Sequence, residues 1–243
     1  ELALLSLKFG NNVVAETNSD DMKRFVTDEA LLKGLPESAK AAAAEEAAAA
    51  GHPGEWLFTP KRTSFTPVLQ YCENRDLRKQ LLMDYTTRGN RNNDNDNKAV
   101  IIREMELRIE KAKLFGYDNP ADYILADCMA KNHETVDAFL ASVWAPSLEA
   151  AKREAAALQE LLEQDMPGEK LQPWDWWYYA EKLRKAKYAL DEEELKPYFE
   201  LDNVRKGAFG VATKLYGVQF ERLENMPVYN PEVEVFKVTE ADG

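Results

Sequence analysis

Residues 99–117 read AVIIREMELRIEKAKLFGY. Ile101, Met105, Ile109 and Ala112 return every three or four residues with Leu114 beside them, and Gly116 follows where a helix would stop. This is the period of one helical face, so the stretch is expected to form a long helix with that side buried. The same period recurs on both sides of it. Upstream, Leu77, Leu81 and Leu82 mark the buried side of NRDLRKQLLMDYTTRG (74–89), with Asn74 as its cap. SAKAAAAEEAAAAG (38–51) consists almost wholly of strong helix formers, and Gly51 followed by Pro53 supplies its stop. Leu2, Leu5, Phe9 and Val13 form an opening helical face that loses its pattern in ETNSDD (16–21). EWLF (55–58) reads as a short extended piece, and Pro67 suits the first turn of a helix carrying Val68, Leu69 and Tyr71. Downstream, Asn119 and Pro120 open a segment whose Tyr123, Ile124, Ala126, Cys128 and Met129 need burying. The C-terminal PEVEVFKVTEADG (231–243) changes to strand character at Val233, Val235 and Val238 and ends on the hairpin pair Asp242-Gly243. The expected fold is mostly α, with a short β-strand at the C-terminal end.

Composition narrows the classes of function. The 243 residues are 45% hydrophobic and 30% charged, enough for a real core in one or two domains. The net charge of -12 repels phosphate backbones and anionic surfaces, so neither nucleic acid nor membrane is an expected partner. No apolar run approaches the roughly 18 residues that a membrane span needs. Cys72 and Cys128 belong to no CxxC pair and read as small core residues. The N-terminal ELALLSLKFGNN has no Met and no basic flank and starts inside an amphipathic repeat, which reads as the middle of a protein and not as a signal peptide.

Candidate chemistry is sparse. NHETVD (132–137) falls one residue short of a zinc signature, because Asp137 stands where the second His of an HExxH helix is required. Asn132 directly precedes the apolar repeat Val136, Phe139, Leu140, Val143 and Trp144, so it reads as an N-cap with Glu134 in the first turn. That assignment accounts for these letters without a metal; the competing one makes His133 and Asp137 metal ligands. Asp94 and Asp96 alternate in RGNRNNDNDNK (88–98), but a calcium loop begun at Asp94 would put Ala99 where Gly is needed and Met105 in place of the bidentate Glu. A solvated turn is the expectation there. The acidic run Glu192 to Glu194 reads as the first turn of a short helix begun by Asp191. Trp174, Trp176, Trp177, Tyr178, Tyr179 and Tyr188 are too closely spaced for one helical face, so some must meet another domain, a ligand or solvent.

Four runs, in order, carry a resemblance: NRDLRKQL (74–81), KAKLFGYDNPADYILADCMAK (111–131), WDWWYYAEKLRKAKYALDEEELKPYF (174–199) and VRKGAFGVATKLYGVQF (204–220). They are similar to the helical region of the thimet oligopeptidase and peptidyl-dipeptidase family, and LALLSLKFGNNVVAETN (2–18) resembles that family's earlier helices. The resemblance implies a multi-helix domain of a zincin-like oligopeptidase, a zinc metallopeptidase cutting short peptides in a channel between two helical halves. It implies channel-wall helices over 1–70, a helical domain over 71–225 and, over 226–243, the start of a β-hairpin leading into a catalytic half. In the family, the zinc ligands and catalytic Glu lie on a downstream HExxH helix and a later Glu, none of which falls between Glu1 and Gly243. No residue of this chain is therefore assigned a catalytic, cofactor-binding or metal-binding role. The expected parent is a cytoplasmic enzyme, with the periplasm as the other compartment, whose partners are short peptides and whose cofactor is zinc. The chain itself is expected to be inactive. The alternative is a non-catalytic helical protein-binding module whose exposed aromatics grip a partner. One departure stands out: several members have Trp-His-Pro where this chain has Tyr229, Asn230 and Pro231.

Overall fold

The computed structural model describes residues 1–189 and 192–240. The described residues are mostly helical, and the chain forms two compact units, Glu1–Tyr188 and Ala189–Gly243. In the first unit the order is α1 (Leu2–Thr17), β1 (Arg24–Val26), α2 (Glu37–Ala49), β2 (Trp56–Phe58), α3 (Arg62–Tyr71), α4 (Arg75–Thr86), α5 (Lys98–Leu114), α6 (Pro120–Leu125), α7 (His133–Asp165) and α8 (Trp176–Tyr188), with two short 3-10 turns between α1 and α2.

The first core gathers around α3. Phe65, Val68 and Leu69 on one side of α3 meet Leu77 and Leu81 of α4, Phe58 of β2 and Ala43 of α2. Burying each large apolar side chain here stabilises the fold by about 1.5–3 kcal/mol. β1 and β2 pair antiparallel, Arg24 opposite Phe58 and Val26 opposite Trp56. The extended reading of EWLF holds, while its partner β1 carried no apolar alternation to announce it. α2 ends as expected: Gly51 takes φ +88, its N–H reaches the Ala48 carbonyl, and the His52 N–H reaches that of Ala47. α3 starts at Arg62, so Pro67 sits inside the helix and not in its first turn. The loop before it already turns, with the Ser64 hydroxyl accepting the Thr59 N–H at 3.1 Å.

Asn74 caps α4, its side chain accepting the N–H groups of Asp76 and Leu77 at 3.1 and 3.2 Å. Asn119 and Asn132 do the same for Asp122 and Thr135 at the starts of α6 and α7. Each replaces an acceptor that the first helical turn lacks.

The helix of the opening quotation exists, but its buried side differs from expectation. Ile101, Met105, Ile109 and Leu114 are exposed, Leu114 at 85%. What α5 buries is Val100, Glu104 and Ala112, and it packs on both α1 and α6. The joint between α1 and α5 is polar: the Ser6 hydroxyl donates to Glu104, and Asn12 Nδ2 donates to Asn97 Oδ1 at 2.9 Å. Ile124, Cys128 and Met129, also expected inside, are exposed as well, Met129 at 99%. Tyr123 is half-buried, its ring stacked on Phe115 with centroids 5.1 Å apart. Periodicity says where a helix would put apolar side chains; it does not say whether another element covers them. Cys72 is buried as expected, its thiol donating to the Leu31 carbonyl at 3.5 Å, and burial pushes its pKa up.

The polar loop after α4 is more than a solvated turn. Glu16, at the end of α1 where the apolar pattern fades, is buried; its carboxylate accepts the Gly89 N–H and, at 2.7 Å, Asn93 Nδ2. Asn97 is buried too, donating to the Phe9 carbonyl at 3.2 Å. Gly89 has φ +72, and a Cβ there would lie 2.7 Å from Asn97 Nδ2, so only glycine fits. Asp96 accepts the N–H groups of Asn92 and Lys98 and the Lys98 ammonium, so it acts as the loop's internal brace.

The second unit contains α9 (Glu192–Leu195), a 3-10 turn, α10 (Leu201–Tyr216), β3 (Gln219–Leu223) and β4 (Val235–Thr239). The expected C-terminal strand, β4, pairs antiparallel with β3, Gln219 opposite Thr239 and Leu223 opposite Val235. β3 was not expected. Asp191 and the Asp242-Gly243 pair lie outside the described residues. Phe209 of α10 stacks on Phe220 with centroids 4.0 Å apart and meets Phe236 edge-on at 5.0 Å. Glu234 receives both Arg205 and Arg222, the latter at 3.0 Å.

Candidate functional site

His133 stands at the first position of α7 and meets Asp122 of α6. Its Nδ1 lies 2.8 and 2.9 Å from the two Asp122 oxygens, and its backbone N–H donates to Asp122 Oδ1 at 2.9 Å. Nε2, on the other side of the ring, lies 3.6 Å from Glu134 Oε1. Asp122, His133 and Glu134 are the group of metal-capable side chains found among the described residues; Asp137, the ligand proposed with His133, is not in it. Each of the three offers one ligand atom, and these atoms lie within 4.8 Å of one another. In the arrangement present, Nδ1 is engaged by Asp122 and Nε2 faces Glu134. The arrangement is an ion pair that fastens the start of α7 to α6.

The hydrogen bond from His133 holds the Asp122 carboxyl below its ordinary value, and the same bond raises the His133 imidazole above 6.5. The His133 contribution to stability is therefore complete below about pH 6.5 and is lost as pH rises through its raised folded value. The Asp122 contribution is complete above its ordinary value of 3.8 and is lost as pH falls through its lowered one. The joint is expected to be tightest between those limits. An NMR titration checks this, since His133 and His52 are the only two histidines. His133 should titrate above 6.5, and Asp122→Asn should bring it back towards that value; an unchanged midpoint in the variant would show that the pair does not form.

Two of the four runs singled out in the sequence meet at a second charged cluster. Asp175, from the aromatic stretch, has 0% exposure, and Arg78, from NRDLRKQL, has 1%. Arg78 donates to Asp175 at 2.9 Å and to the carbonyls of Cys72, Glu73 and Trp174 at 2.7, 3.1 and 3.1 Å. Arg75 binds both Asp175 oxygens, its closest approach 2.8 Å, and donates to Glu169 at 2.8 Å. Asp175 also accepts the Gln172 N–H at 3.0 Å. One buried carboxylate is thus shared by two guanidinium groups, and Arg78 satisfies carbonyls just beyond the C-terminus of α3. Sequence reasoning missed this cluster: the charges lie about a hundred residues apart, and each alone looks like a solvated helix face.

The aromatic stretch packs around that cluster. Tyr179 is buried with Leu158 and Leu162 of α7, and burial pushes its hydroxyl pKa up. The Arg78 guanidinium lies 4.3 Å from the Tyr178 ring centre, the Lys79 ammonium 5.0 Å from that of Trp174, and the Phe65 and Trp177 rings are 6.2 Å apart. Trp176 and Tyr188, with Leu158, Ala180, Leu183 and Arg184, line a groove of about 260 Å3. Neither this groove nor the roughly 610 Å3 cavity lined by Arg24, Asp76, Lys79, Gln80, Met83 and Asp84 holds a His, Cys or Ser that could serve a nucleophile–base pair. The clusters described so far hold the fold together.

The family is decided by comparison. The model of peptidase family M3 matches residues 68–243, more than two-thirds of the chain. The chain belongs to peptidase family M3. Its matched part begins within α3 and includes all four runs on which the resemblance rests. Among M3 relatives, the dipeptidyl carboxypeptidase of Escherichia coli is 35% identical over 244 residues, covering 100% of this chain and 36% of the relative. Oligopeptidase A of Salmonella typhimurium is 35% identical over 241 residues, covering 98% and 35%. The organellar oligopeptidase A of Arabidopsis thaliana is 34% identical over 252 residues, covering 100% and 31%. The chain thus spans about a third of the length of these M3 relatives. No described helix is long and apolar enough to cross a membrane.

Proposed function

We propose that this chain is the helical portion of an M3 zinc metallopeptidase that hydrolyses short peptides, as an oligopeptidase or a peptidyl-dipeptidase, and that it does not itself hold the zinc. The observation that carries this is the match to relatives named as dipeptidyl carboxypeptidase and oligopeptidase A along the whole chain, over only about a third of their length. HExxH does not occur in the 243 residues, and in the His133 cluster Nδ1 is already engaged by Asp122, which supports this reading. Residues 1–70 and 71–225 would then form channel wall and support, with 226–243 leading towards the catalytic half. In the parent, zinc would polarise the scissile carbonyl and activate water, while these helices would present the peptide and exclude solvent. The parent would act on cytoplasmic peptides.

The test uses the purified chain. Incubated with zinc and washed, it should retain no stoichiometric metal, and it should cleave a set of short quenched peptides no faster than buffer does. A chelator-sensitive activity, lost in His133→Ala, would overturn the assignment and make His133 a ligand. The polypeptide read from the full parent frame should carry an HExxH helix and cleave the same peptides; a frame without one would favour the binding module instead.

A further inference from the structure

Among the described residues, three buried side-chain atoms have no hydrogen-bond partner: the hydroxyls of Thr59 and Thr66, and Oδ2 of Asp84. The carboxylate oxygen is the costliest of these, because a buried acceptor left without a donor carries its desolvation penalty, and a charged one carries more. Asp84 is 7% exposed, and its other oxygen, Oδ1, accepts Arg24 Nη2 at 2.6 Å. The residue lines the cavity of about 610 Å3 between α4 and β1. Asp76, Lys79, Gln80, Met83 and Asp84 recur at helical spacing, so α4 supplies one wall and Arg24 of β1 the other. Of the six, Asp84 alone is buried, which puts it at the deep end. The charges of the lining balance, Arg24 and Lys79 against Asp76 and Asp84. A ligand that carries both signs suits such a wall better than a bare anion or a bare cation.

We infer that this cavity binds a short peptide by its two free ends, the ammonium on Asp84 Oδ2 and the carboxylate on Lys79. Arg24 is already committed, to Asp84 and to the Lys23 carbonyl at 3.3 Å. The Lys79 ammonium lies 5.0 Å from the centre of the Trp174 ring, a contact that does not use all three of its N–H groups. One spare acceptor and one spare donor therefore face a guest. Lys79 and Asp84 stand five residues apart on α4, about 7.5 Å along its axis and on opposite flanks of the lining face. A single amino acid is too short to reach both, whereas two or three extended residues span about 7–11 Å. Between the two ends, Gln80 offers an amide to the peptide bonds. The inference does not rest on the peptidase reading, because all six lining residues lie in this chain and no metal takes part.

An amide NMR titration of this chain with trialanine reads the site. The amides of Arg24 and of residues 76–84 should shift saturably below about 10 mM peptide, the weak range suited to two charged contacts in an open cavity. Free alanine and an N-acetylated trialanine amide should each bind at least about tenfold more weakly, since the first reaches one end only and the second carries neither charge. Lys79→Ala, at an exposed position, should weaken trialanine about fivefold, and Asp84→Asn at least about tenfold. Asp84→Asn also removes the partner of Arg24, so its spectrum is checked for the native fold, and Lys79→Ala decides if that fold is lost. The absence of a saturable shift in this range would overturn the inference. So would equal binding of the blocked peptide, which would make the cavity an uncharged groove, or equal binding of free alanine, which would make it an amino-acid site. Full affinity in Lys79→Ala would place the peptide elsewhere and overturn it too.

Discussion

Asp175→Ala should destabilise the first unit by about 3–5 kcal/mol, the usual cost of removing one partner from a buried ion pair. Arg78 would keep its three carbonyl acceptors but lose the carboxylate it pairs with at 2.9 Å, and it sits at 1% exposure. Arg75 would lose its bidentate grip and retain Glu169 at the surface. All five tryptophans lie in Glu1–Tyr188, so tryptophan fluorescence during urea unfolding reports this unit alone. Arg78→Met should cost a comparable amount, and the double variant less than the sum, because the orphaned charge is gone. A loss below about 1 kcal/mol for Asp175→Ala would mean that the cluster is solvated and that the aromatic stretch is held by packing alone.

Glu16→Ala should cost about 1–3 kcal/mol, the penalty of one buried donor left without its acceptor, and release α1. The variant leaves the buried Gly89 N–H without its acceptor, which carries that group's desolvation penalty, while Asn93 is exposed and its amide can turn to water. It matters more than its size suggests because α1 has little apolar anchorage: Leu4 and Leu7 are exposed, and its meeting with α5 runs through Ser6, Asn12 and Asn97. Hydrogen exchange should show the amides of α1 losing protection while those of α3 and α4 keep theirs. Unchanged protection in α1 would show that the polar joint to α5 suffices without the carboxylate.

The two variants also locate what could be read in advance. The helices at 75–86, 98–114 and 120–125 and the start at 133 were legible, because caps and stops are local: an Asn before a helix satisfies N–H groups two or three residues on, wherever the helix later packs. The family was legible for a related reason, since four runs in order survive as text, and the comparisons bear it out. Strands β1 and β3 escaped notice because three to five residues hold too little alternation to be told from a loop. Glu16, Arg78 and Asp175 escaped notice because nothing near them in the chain distinguishes a buried charge from a solvated one. Their partners lie about seventy to a hundred residues away.

By itself the sequence determined a mostly helical chain of peptidase family M3, the ends of its main helices and the absence of HExxH, all set by nearest-neighbour chemistry or by order along the chain. Only the tertiary structure decided which sides those helices bury. Periodicity fixes the direction in which a side chain points from its own axis, but burial depends on whether a second element arrives there. For Leu158 and Leu162 it does, and α8 covers them. Ile101, Met105, Leu140 and Trp144, apolar and at the same helical period, stay between 43% and 66% exposed.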